Sequence, residues 1–128
     1  MRILLADRQP RVRSALRLLL EQHDETYLVT EAEDPGAILT AISRTCPDLL
    51  LLGWDLPGPS REEFIAAVKN RCAALRIIVL DSQPQVRDAA LRAGAHDFVS
   101  KNDPPELLIA TVEKSRRDEP VWKGDTDP

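Results

Sequence analysis

The sequence predicts an α/β protein in which helices cover both faces of a five-stranded parallel sheet. Five short apolar runs alternate along the chain with five longer amphipathic ones. Several of the short runs are apolar almost throughout, which is typical of parallel strands that are buried on both faces. Strict alternation of strand and helix favours right-handed crossovers and a doubly wound sheet. The length of 128 residues suits one domain with a substantial core.

The bounds of the elements follow from the same pattern. We predict strands at residues 3–6, 27–31, 48–52, 77–80 and 97–100. We predict helices at residues 10–23, 35–44, 61–71, 84–93 and 104–117. These elements place one domain at residues 1–117 and a polar tail or linker at residues 118–128.

Local signals mark where several helices begin and end. Asp34 and Asp103 each precede a proline, so each is predicted to cap a helix whose first residue is that proline. Ser60 and Asp103 are each followed three residues later by a glutamate, as in a capping box. Gly94 follows the fourth helix and is predicted to end it in the left-handed conformation.

Composition and missing motifs argue against several classes of function. The formal net charge of −4 argues against a general nucleic-acid-binding surface. No apolar run approaches the roughly 20 residues of a membrane span, and the first apolar run is too short for a signal peptide. The sequence also lacks a glycine-rich phosphate loop and the nucleophile motif Gly-Xaa-Ser-Xaa-Gly. We therefore expect a cytoplasmic protein that is not an enzyme and binds neither nucleic acid nor a membrane.

The cysteines and histidines are predicted to be structural. Cys46 and Cys72 are the only cysteines, and they do not have metal-ligand or Cys-Xaa-Xaa-Cys spacing. We expect both to be reduced and buried as small apolar residues. His23 is predicted at a helix end and His96 in a loop, each without a functional role.

Charged residues follow several of the predicted strands at the point where each strand ends. Asp7 follows strand one, Asp81 follows strand four and Lys101 follows strand five, while Gly53 follows strand three. In doubly wound sheets, sites gather outside the carboxyl ends of the strands, where the strand order reverses. The topology therefore predicts that these four residues surround one site.

Three segments resemble the receiver domains of bacterial two-component response regulators, the CheY-like family. They are residues 47–58 (PDLLLLGWDLPG), 92–101 (RAGAHDFVSK) and 102–108 (NDPPELL). The resemblance covers about residues 2–117 and is specific only when the three segments are taken together. It implies a flavodoxin-like fold with the strand order 2-1-3-4-5.

The resemblance also assigns roles to the residues at the strand ends. The family's aspartate that accepts the phosphoryl group corresponds to Gly53, which has no side chain to phosphorylate. Its paired acids, which help to hold Mg²⁺, correspond to Ala6 and Asp7, so only the second acid is present. Its phosphoryl-binding lysine corresponds to Lys101. The backbone carbonyl of Asp55 corresponds to one that faces the metal. Asp81, with Ser82 beside it, stands where the family has a hydroxyl donor, and Phe98 stands at the position of the switch aromatic.

These assignments predict a degenerate receiver that binds protein partners without being phosphorylated. Mg²⁺ is expected to bind weakly or not at all, with Asp7 and Asp55 as the remaining candidate ligands and no other cofactor. We expect Asp81 and Lys101 to form an ion pair across the altered site. Candidate partners are a histidine kinase, an output domain or a second copy of the chain. They would bind the face formed by the fourth helix, fifth strand and fifth helix.

Other interpretations remain open at this stage. A working phosphorelay receiver would need Asp55 or Asp81 as a non-standard acceptor, although Asp55 is predicted to lie in a turn and not at a strand end. The chain is also a candidate for the N-terminal part of a transcriptional regulator. Trp54 either forms part of a contact surface or covers a loop, and Trp122 in the tail either docks on the domain or binds a partner.

Overall fold

Residues 1–117 are described in the computed structural model of the protein, with side chains for residues 1–116. The strands are β1 (Arg2–Ala6), β2 (Leu28–Ala32), β3 (Leu49–Gly53), β4 (Arg76–Asp81) and β5 (Asp97–Ser100). The helices are α1 (Pro10–His23), α2 (Pro35–Arg44), α3 (Arg61–Arg71), α4 (Val86–Ala93) and α5 (Pro105–Arg117). Within this part of the chain, no helix is both long enough and apolar enough to cross a membrane. The predicted tail, including Trp122, lies outside the described residues.

The five strands form one parallel sheet in the order β2-β1-β3-β4-β5. The predicted fold class and strand order are confirmed. In the sheet register, Gly53 at the end of β3 pairs with Leu80 in β4, and Asp81 at the end of β4 pairs with Ser100 in β5. The carboxyl ends of β1, β3, β4 and β5 therefore meet at one edge, as the alternation of strands and helices predicts.

Two apolar cores lie on opposite faces of the sheet. β3 is buried at all five positions, and its side chains alternate between the two cores because successive strand residues point to opposite faces. Leu50 and Leu52 join the core that contains residues of α2, α3 and α4. Leu49 and Leu51 join the core that contains residues of α1 and α5. The central strand is thus the element on which both faces depend.

Three of the predicted helix-end signals are confirmed. Asp34 accepts a hydrogen bond from the Ala37 backbone N–H at 2.8 Å, which caps α2. Ser60 accepts one from the Glu63 backbone N–H at 3.2 Å, which caps α3. Gly94 ends α4 with φ of 114°, a conformation that favours glycine because a side chain would be strained there.

The prediction that Asp103 caps α5 is wrong. Its Oδ2 instead accepts a hydrogen bond from the Ser100 backbone N–H at 3.1 Å, and α5 begins at Pro105. A residue that precedes a proline is disfavoured in the α-helical region, so the Pro104-Pro105 pair delays the helix by one residue. The Leu107 N–H then donates to the Pro104 carbonyl at 2.9 Å.

The first turn of the predicted fourth helix is also not α-helical. Val86 N–H donates to the Gln83 carbonyl at 3.0 Å, and Arg87 N–H donates to the Pro84 carbonyl at 3.1 Å. These hydrogen bonds span three residues and not four, which is the pattern of a tight turn before a helix. The α-helix itself therefore starts at Val86, two residues after the predicted start.

The prediction of two reduced, buried cysteines is wrong. Cys46 and Cys72 form a disulfide bond across 26 residues of sequence. Cys46 is exposed in the loop between α2 and β3, whereas Cys72, the C-cap residue of α3, is buried. Spacing in the sequence could not reveal the pair because packing of α2 against α3 brings these two segments together.

Candidate functional site

The site lies at the carboxyl edge of the sheet and is built around a buried ion pair. Asp7 directly follows β1 and is 0 % exposed. Lys101, which follows β5, places Nζ 2.6 Å from Asp7 Oδ2 and leaves 17 % of its side chain exposed. The charges of strand ends one and five therefore neutralise each other in a site with little access to water.

Further hydrogen bonds hold both the carboxylate and the backbone of Asp7 in place. Its Oδ1 accepts a hydrogen bond from the Gln9 backbone N–H at 2.9 Å. Its backbone carbonyl accepts one from Arg13 Nη1 at 2.6 Å, and Arg13 is in turn paired with Glu31 at 3.0 Å. Oδ2 has no hydrogen bond of good geometry within residues 1–117, so the short contact with Lys101 acts as an ion pair.

The expected pair between Asp81 and Lys101 is wrong. Their contact runs through the backbone, where the Lys101 N–H donates to the Asp81 carbonyl at 2.9 Å. The Asp81 carboxylate instead accepts from the Gln83 backbone N–H at 3.0 Å, two residues along its own chain. Asp81 is partly exposed while Asp7 is fully buried. The lysine therefore lies against the carboxylate that cannot reach water, since an unpaired buried charge costs far more than a solvated one.

Gly53 is buried at the end of β3 and faces the ion pair. A Cβ atom added at this position would lie 3.0 Å from Asp7 Oδ2 and 3.2 Å from the Ala6 carbonyl oxygen. The first distance is shorter than ordinary van der Waals contact, and the second involves backbone that cannot move freely. A side chain at position 53 would therefore require the Asp7 carboxylate to shift by a few tenths of an ångström.

The loop after β3 places its own acid away from the pair. Asp55 is exposed. Among the described side chains, Lys101 pairs with Asp7 and not with Asp55. Trp54 is partly buried and packs against the core on the α2–α4 face, so its position agrees with a loop-covering role. The Ser82 carbonyl accepts a hydrogen bond from Asn102 Nδ2 at 3.1 Å and links the two loops that follow β4 and β5.

Phe98 is buried in β5, with 8 % of its surface exposed, and belongs to the core on the α2–α4 face. The resemblance places the switch aromatic at this position. Phenylalanine carries no hydroxyl group, so it cannot make the hydrogen bond of a tyrosine at the protein surface.

Sequence reasoning missed Arg61, a charged residue that is only 8 % exposed. Its Nη2 donates to the Pro59 carbonyl at 2.8 Å, and the guanidinium lies 5.7 Å from the centre of the Phe64 ring. Burial lowers the pKa of Arg61, and the nearby charge of Asp55 opposes that shift. Phe64 lies three residues after Arg61, and Val68 lies four residues after Phe64, so all three share one face of the helix. This spacing was the available signal that Arg61 would be buried.

The two histidines make contacts that their positions in sequence did not indicate. His96 Nδ1 accepts a hydrogen bond from the Ile77 backbone N–H at 3.0 Å, which requires a neutral ring. Burial lowers the pKa of His96, and the positive charges of Arg76 and Lys69 lower it further. His23 Nε2 lies 2.8 Å from Glu113 Oε2, which joins α1 to α5.

The residues at this edge do not fit the Mg²⁺ site that the resemblance implies. The side chains of Ala6 and Gly53 supply no oxygen ligand. The Oδ2 atom of Asp7 is already in contact with Lys101 Nζ. No cluster of three or more histidine, cysteine, aspartate or glutamate side chains suited to a metal ion occurs in the described part of the chain. A hard divalent cation prefers several oxygen ligands, which this edge does not assemble.

Comparison with known proteins decides the family. The sequence profile described as "Response regulator receiver domain" matches residues 3–113. This chain belongs to the response regulator receiver family. Receiver domains of this family serve two-component signalling, and several curated relatives of this receiver are named as transcriptional regulators.

Two curated relatives illustrate the match. The receiver is 29 % identical over 120 residues to the phosphate regulon transcriptional regulatory protein PhoB of Escherichia coli K12, covering 91 % of this chain and 52 % of PhoB. It is 35 % identical over 112 residues to a putative transcriptional regulator of Pseudomonas aeruginosa, covering 85 % of this chain and 54 % of that protein. The chain thus spans about half the length of these relatives.

Solved structures confirm the receiver fold. The response regulator TrrA of Thermotoga maritima, solved in complex with Mg²⁺ and BeF, shares 26 % identity with a TM-score of 0.78, covering 89 % of this receiver and 97 % of TrrA. A two-component response regulator from Clostridium difficile matches with a TM-score of 0.81 at 21 % identity, covering 92 % of this receiver and 97 % of that chain. The second likeness concerns the fold alone.

Proposed function

We propose that this protein is a degenerate receiver, a binding module of two-component signalling that acts without phosphorylation and is not an enzyme. The observation that carries the proposal is the arrangement at the end of β3. Position 53 offers no nucleophile, and the Asp7 carboxylate lies 3.0 Å from the place where its Cβ would stand. Acyl-phosphate chemistry requires an activated carboxylate nucleophile, which this position lacks.

The Asp7–Lys101 pair supports the proposal that the altered site works without a phosphoryl group. In an active receiver, as the resemblance implies, the lysine neutralises the charge of the bound phosphoryl group. Here Lys101 Nζ already has an anionic partner at 2.6 Å. An internal carboxylate thus takes the electrostatic place of the phosphoryl group, and we propose that Mg²⁺ binds weakly or not at all and that no other cofactor is used.

We propose that protein partners bind the face formed by α4, β5 and α5. Leu91 on α4 is 37 % exposed and Leu107 on α5 is 46 % exposed, so both helices offer apolar contact area. Between them lies a cavity of about 450 Å³. Leu107 also lines this cavity, so its side chain would be available to a partner that fills the space. The proposed partner is a histidine kinase, an output domain or a second copy of this receiver. The proposed location is the cytoplasm. In this proposal, residues 1–117 bind neither nucleic acid nor a membrane.

Exposure to a small phosphodonor tests the proposal. The protein is incubated with acetyl phosphate and Mg²⁺, and its intact mass is measured before and after. We expect an unmodified chain and no change in amide NMR shifts when beryllofluoride is added with Mg²⁺. A phosphoryl adduct that disappears in Asp55→Asn or Asp81→Asn would instead establish the working receiver with a non-standard acceptor. Neither carboxylate is favoured now, because Asp55 is exposed in a loop and Asp81 is bonded to its own turn.

A second candidate function is the regulatory half of a transcriptional regulator. The observation in its favour is that two transcriptional regulators match this receiver over only 52 % and 54 % of their lengths. In that case, the DNA-binding function would belong to a separate domain and the receiver would control it by contact. Immunoblotting of the native protein tests this, since a native product about twice the 14.3 kDa mass of this chain would support it. A native product of 14.3 kDa would reject it.

A further inference from the structure

The disulfide bond links two segments at the amino-terminal side of the sheet. Cys46 lies between the end of α2 at Arg44 and the start of β3, and Cys72 is the C-cap residue of α3. We call residues 43–48 and 69–75 together the α2–α3 corner. The two residues differ in access, because Cys46 is exposed and Cys72 is 3 % exposed.

We propose that the Cys46–Cys72 bond is a site of reversible thiol–disulfide exchange that tethers and releases the α2–α3 corner. The reagent is a thiol, either a small molecule such as glutathione or a protein dithiol. This inference rests on the proposed cytoplasmic location, because the compartment determines whether a disulfide is expected to be transient. Disulfides in reducing compartments are usually transient or redox-sensing, whereas those in oxidising compartments are usually permanent.

The difference in exposure sets the direction of attack. An external thiolate attacks Cys46 Sγ, forms a mixed disulfide with it, and displaces Cys72 as a thiolate that takes a proton from water. A second thiol then attacks the mixed disulfide, so Cys46 leaves as a thiolate and is protonated. Two electrons pass from two reagent thiols to the protein, and the reagent becomes a disulfide. The reverse sequence restores the bond when the reagent pool is oxidised.

The corner retains other contacts when the bond is broken. Arg71 Nη2 donates to the Ser43 carbonyl at 3.2 Å, which links the same two segments without a covalent bond. The Cys72 backbone N–H donates to the Val68 carbonyl at 2.8 Å and keeps the end of α3 in place. The Cys46 sulfur lies 3.8 Å from the Arg71 carbonyl oxygen, an acceptor available to the free thiol.

The rest of the receiver is held together by contacts that do not involve the bond. Cys72 is buried among apolar side chains of the core on the α2–α4 face, where a free thiol remains as a small apolar group. The sheet pairs through backbone hydrogen bonds that reduction does not touch. Reduction is therefore expected to loosen the corner locally while the sheet stays folded.

Thiol trapping in graded glutathione buffers tests the exchange. The native protein is equilibrated in each buffer, quenched with acid, alkylated under denaturing conditions and weighed by mass spectrometry. We expect unalkylated protein in oxidising buffers and doubly alkylated protein in reducing buffers, with no unfolding by circular dichroism. Hydrogen exchange is then compared between the two forms. We expect a loss of protection in the α2–α3 corner that exceeds the loss in β5, where protection falls only by the change in the free energy of global unfolding.

Cys46→Ser supplies the matched control, because it removes the exposed sulfur and leaves the buried one packed. It should show the hydrogen exchange of the reduced form whether or not reductant is present. The proposal is overturned if excess reduced glutathione leaves the native protein unalkylated, or if the chain is doubly alkylated even in oxidising buffers. Loss of protection in β5 equal to that in the corner would also overturn it, since the change would then be global. None of these outcomes depends on the phosphodonor assay, so the two proposals fail separately.

Discussion

Replacing Lys101 by methionine should destabilise the protein strongly, because it leaves a buried charge without a partner. Asp7 is 0 % exposed and its Oδ2 lies 2.6 Å from Lys101 Nζ. Removing one member of a buried ion pair costs about 3–5 kcal/mol. Since 17 % of the lysine side chain is exposed, some water reaches the site and we expect the lower end, about 3 kcal/mol. That is a large share of the roughly 5–15 kcal/mol that stabilises a typical domain.

The partner substitution should cost less. Asp7→Asn leaves the ammonium group of Lys101, which has some exposure and can turn towards water, and the asparagine oxygen can still accept from the Gln9 N–H. We expect a loss of about 1 kcal/mol for Asp7→Asn. The double variant should lie within about 1 kcal/mol of the original protein, because replacing both members of a buried pair is often nearly neutral.

Urea unfolding at pH 7, followed by circular dichroism, gives the free energy of unfolding for each member of this cycle. Lys114→Met is the matched control, because Lys114 pairs with Asp97 at 3.9 Å and is 63 % exposed. An exposed pair of this kind contributes about 0–1 kcal/mol. The reasoning is refuted if Lys101→Met costs no more than Lys114→Met, or if adding Asp7→Asn to Lys101→Met recovers no stability.

Three further variants test other parts of the structure. The Gly53→Asp variant should have a lower melting temperature, because the new Cβ meets a buried carboxylate oxygen at 3.0 Å, and acetyl phosphate should not phosphorylate it. Adding Ala6→Asp and Asp81→Thr should supply the second metal-binding acid and the hydroxyl donor. Intact mass should then show that this triple variant reacts with the phosphodonor in Mg²⁺. Cys46→Ser should lower the free energy of unfolding under oxidising conditions by about 3.5 kcal/mol, the chain-entropy value for a closed loop of 26 residues. His96→Asn should remove a loss of stability at low pH. Because the pKa of His96 is lowered from 6.5 in the folded state, its contribution is present above pH 6.5 and is lost as pH falls from there towards the folded value.

Each of these expectations has an outcome that contradicts it. If Gly53→Asp alone is phosphorylated as readily as the triple variant, Asp81 does not block the reaction. If reductant lowers the stability of the original protein but not to the level of Cys46→Ser, the serine substitution has an effect other than loss of the bond. If His96→Asn loses stability between pH 7 and pH 5 as steeply as the original protein, another group is responsible for the pH dependence.

Signals that act over a few residues predicted the structure well. The caps at Asp34 and Ser60 and the left-handed Gly94 are confirmed because donor and acceptor, or the strained backbone, lie within one turn of the helix. The cap predicted at Asp103 failed for reasons that are equally local. The Pro104-Pro105 pair shifted the helix start, and the Asp103 carboxylate turned back to the Ser100 N–H.

The sequence by itself determined the order of elements, the doubly wound parallel sheet and the absence of a side chain at the end of β3. These properties follow from hydrophobic periodicity and from the identity of Gly53, and neither depends on distant contacts. The same topology also predicted that Asp7, Gly53, Asp81 and Lys101 would gather at one edge, since parallel strands end on the same side.

Only the tertiary structure decided how those groups are paired. Lys101 contacts Asp7 and not Asp81 because full burial deprives Asp7 of water, and burial is a property of the whole packed chain. The close approach of position 53 to the Asp7 carboxylate depends on segments that are far apart in sequence, and so does the bond between Cys46 and Cys72. Periodicity specifies which face of an element is buried, but the partner of a buried charge or thiol is set by which elements pack beside it.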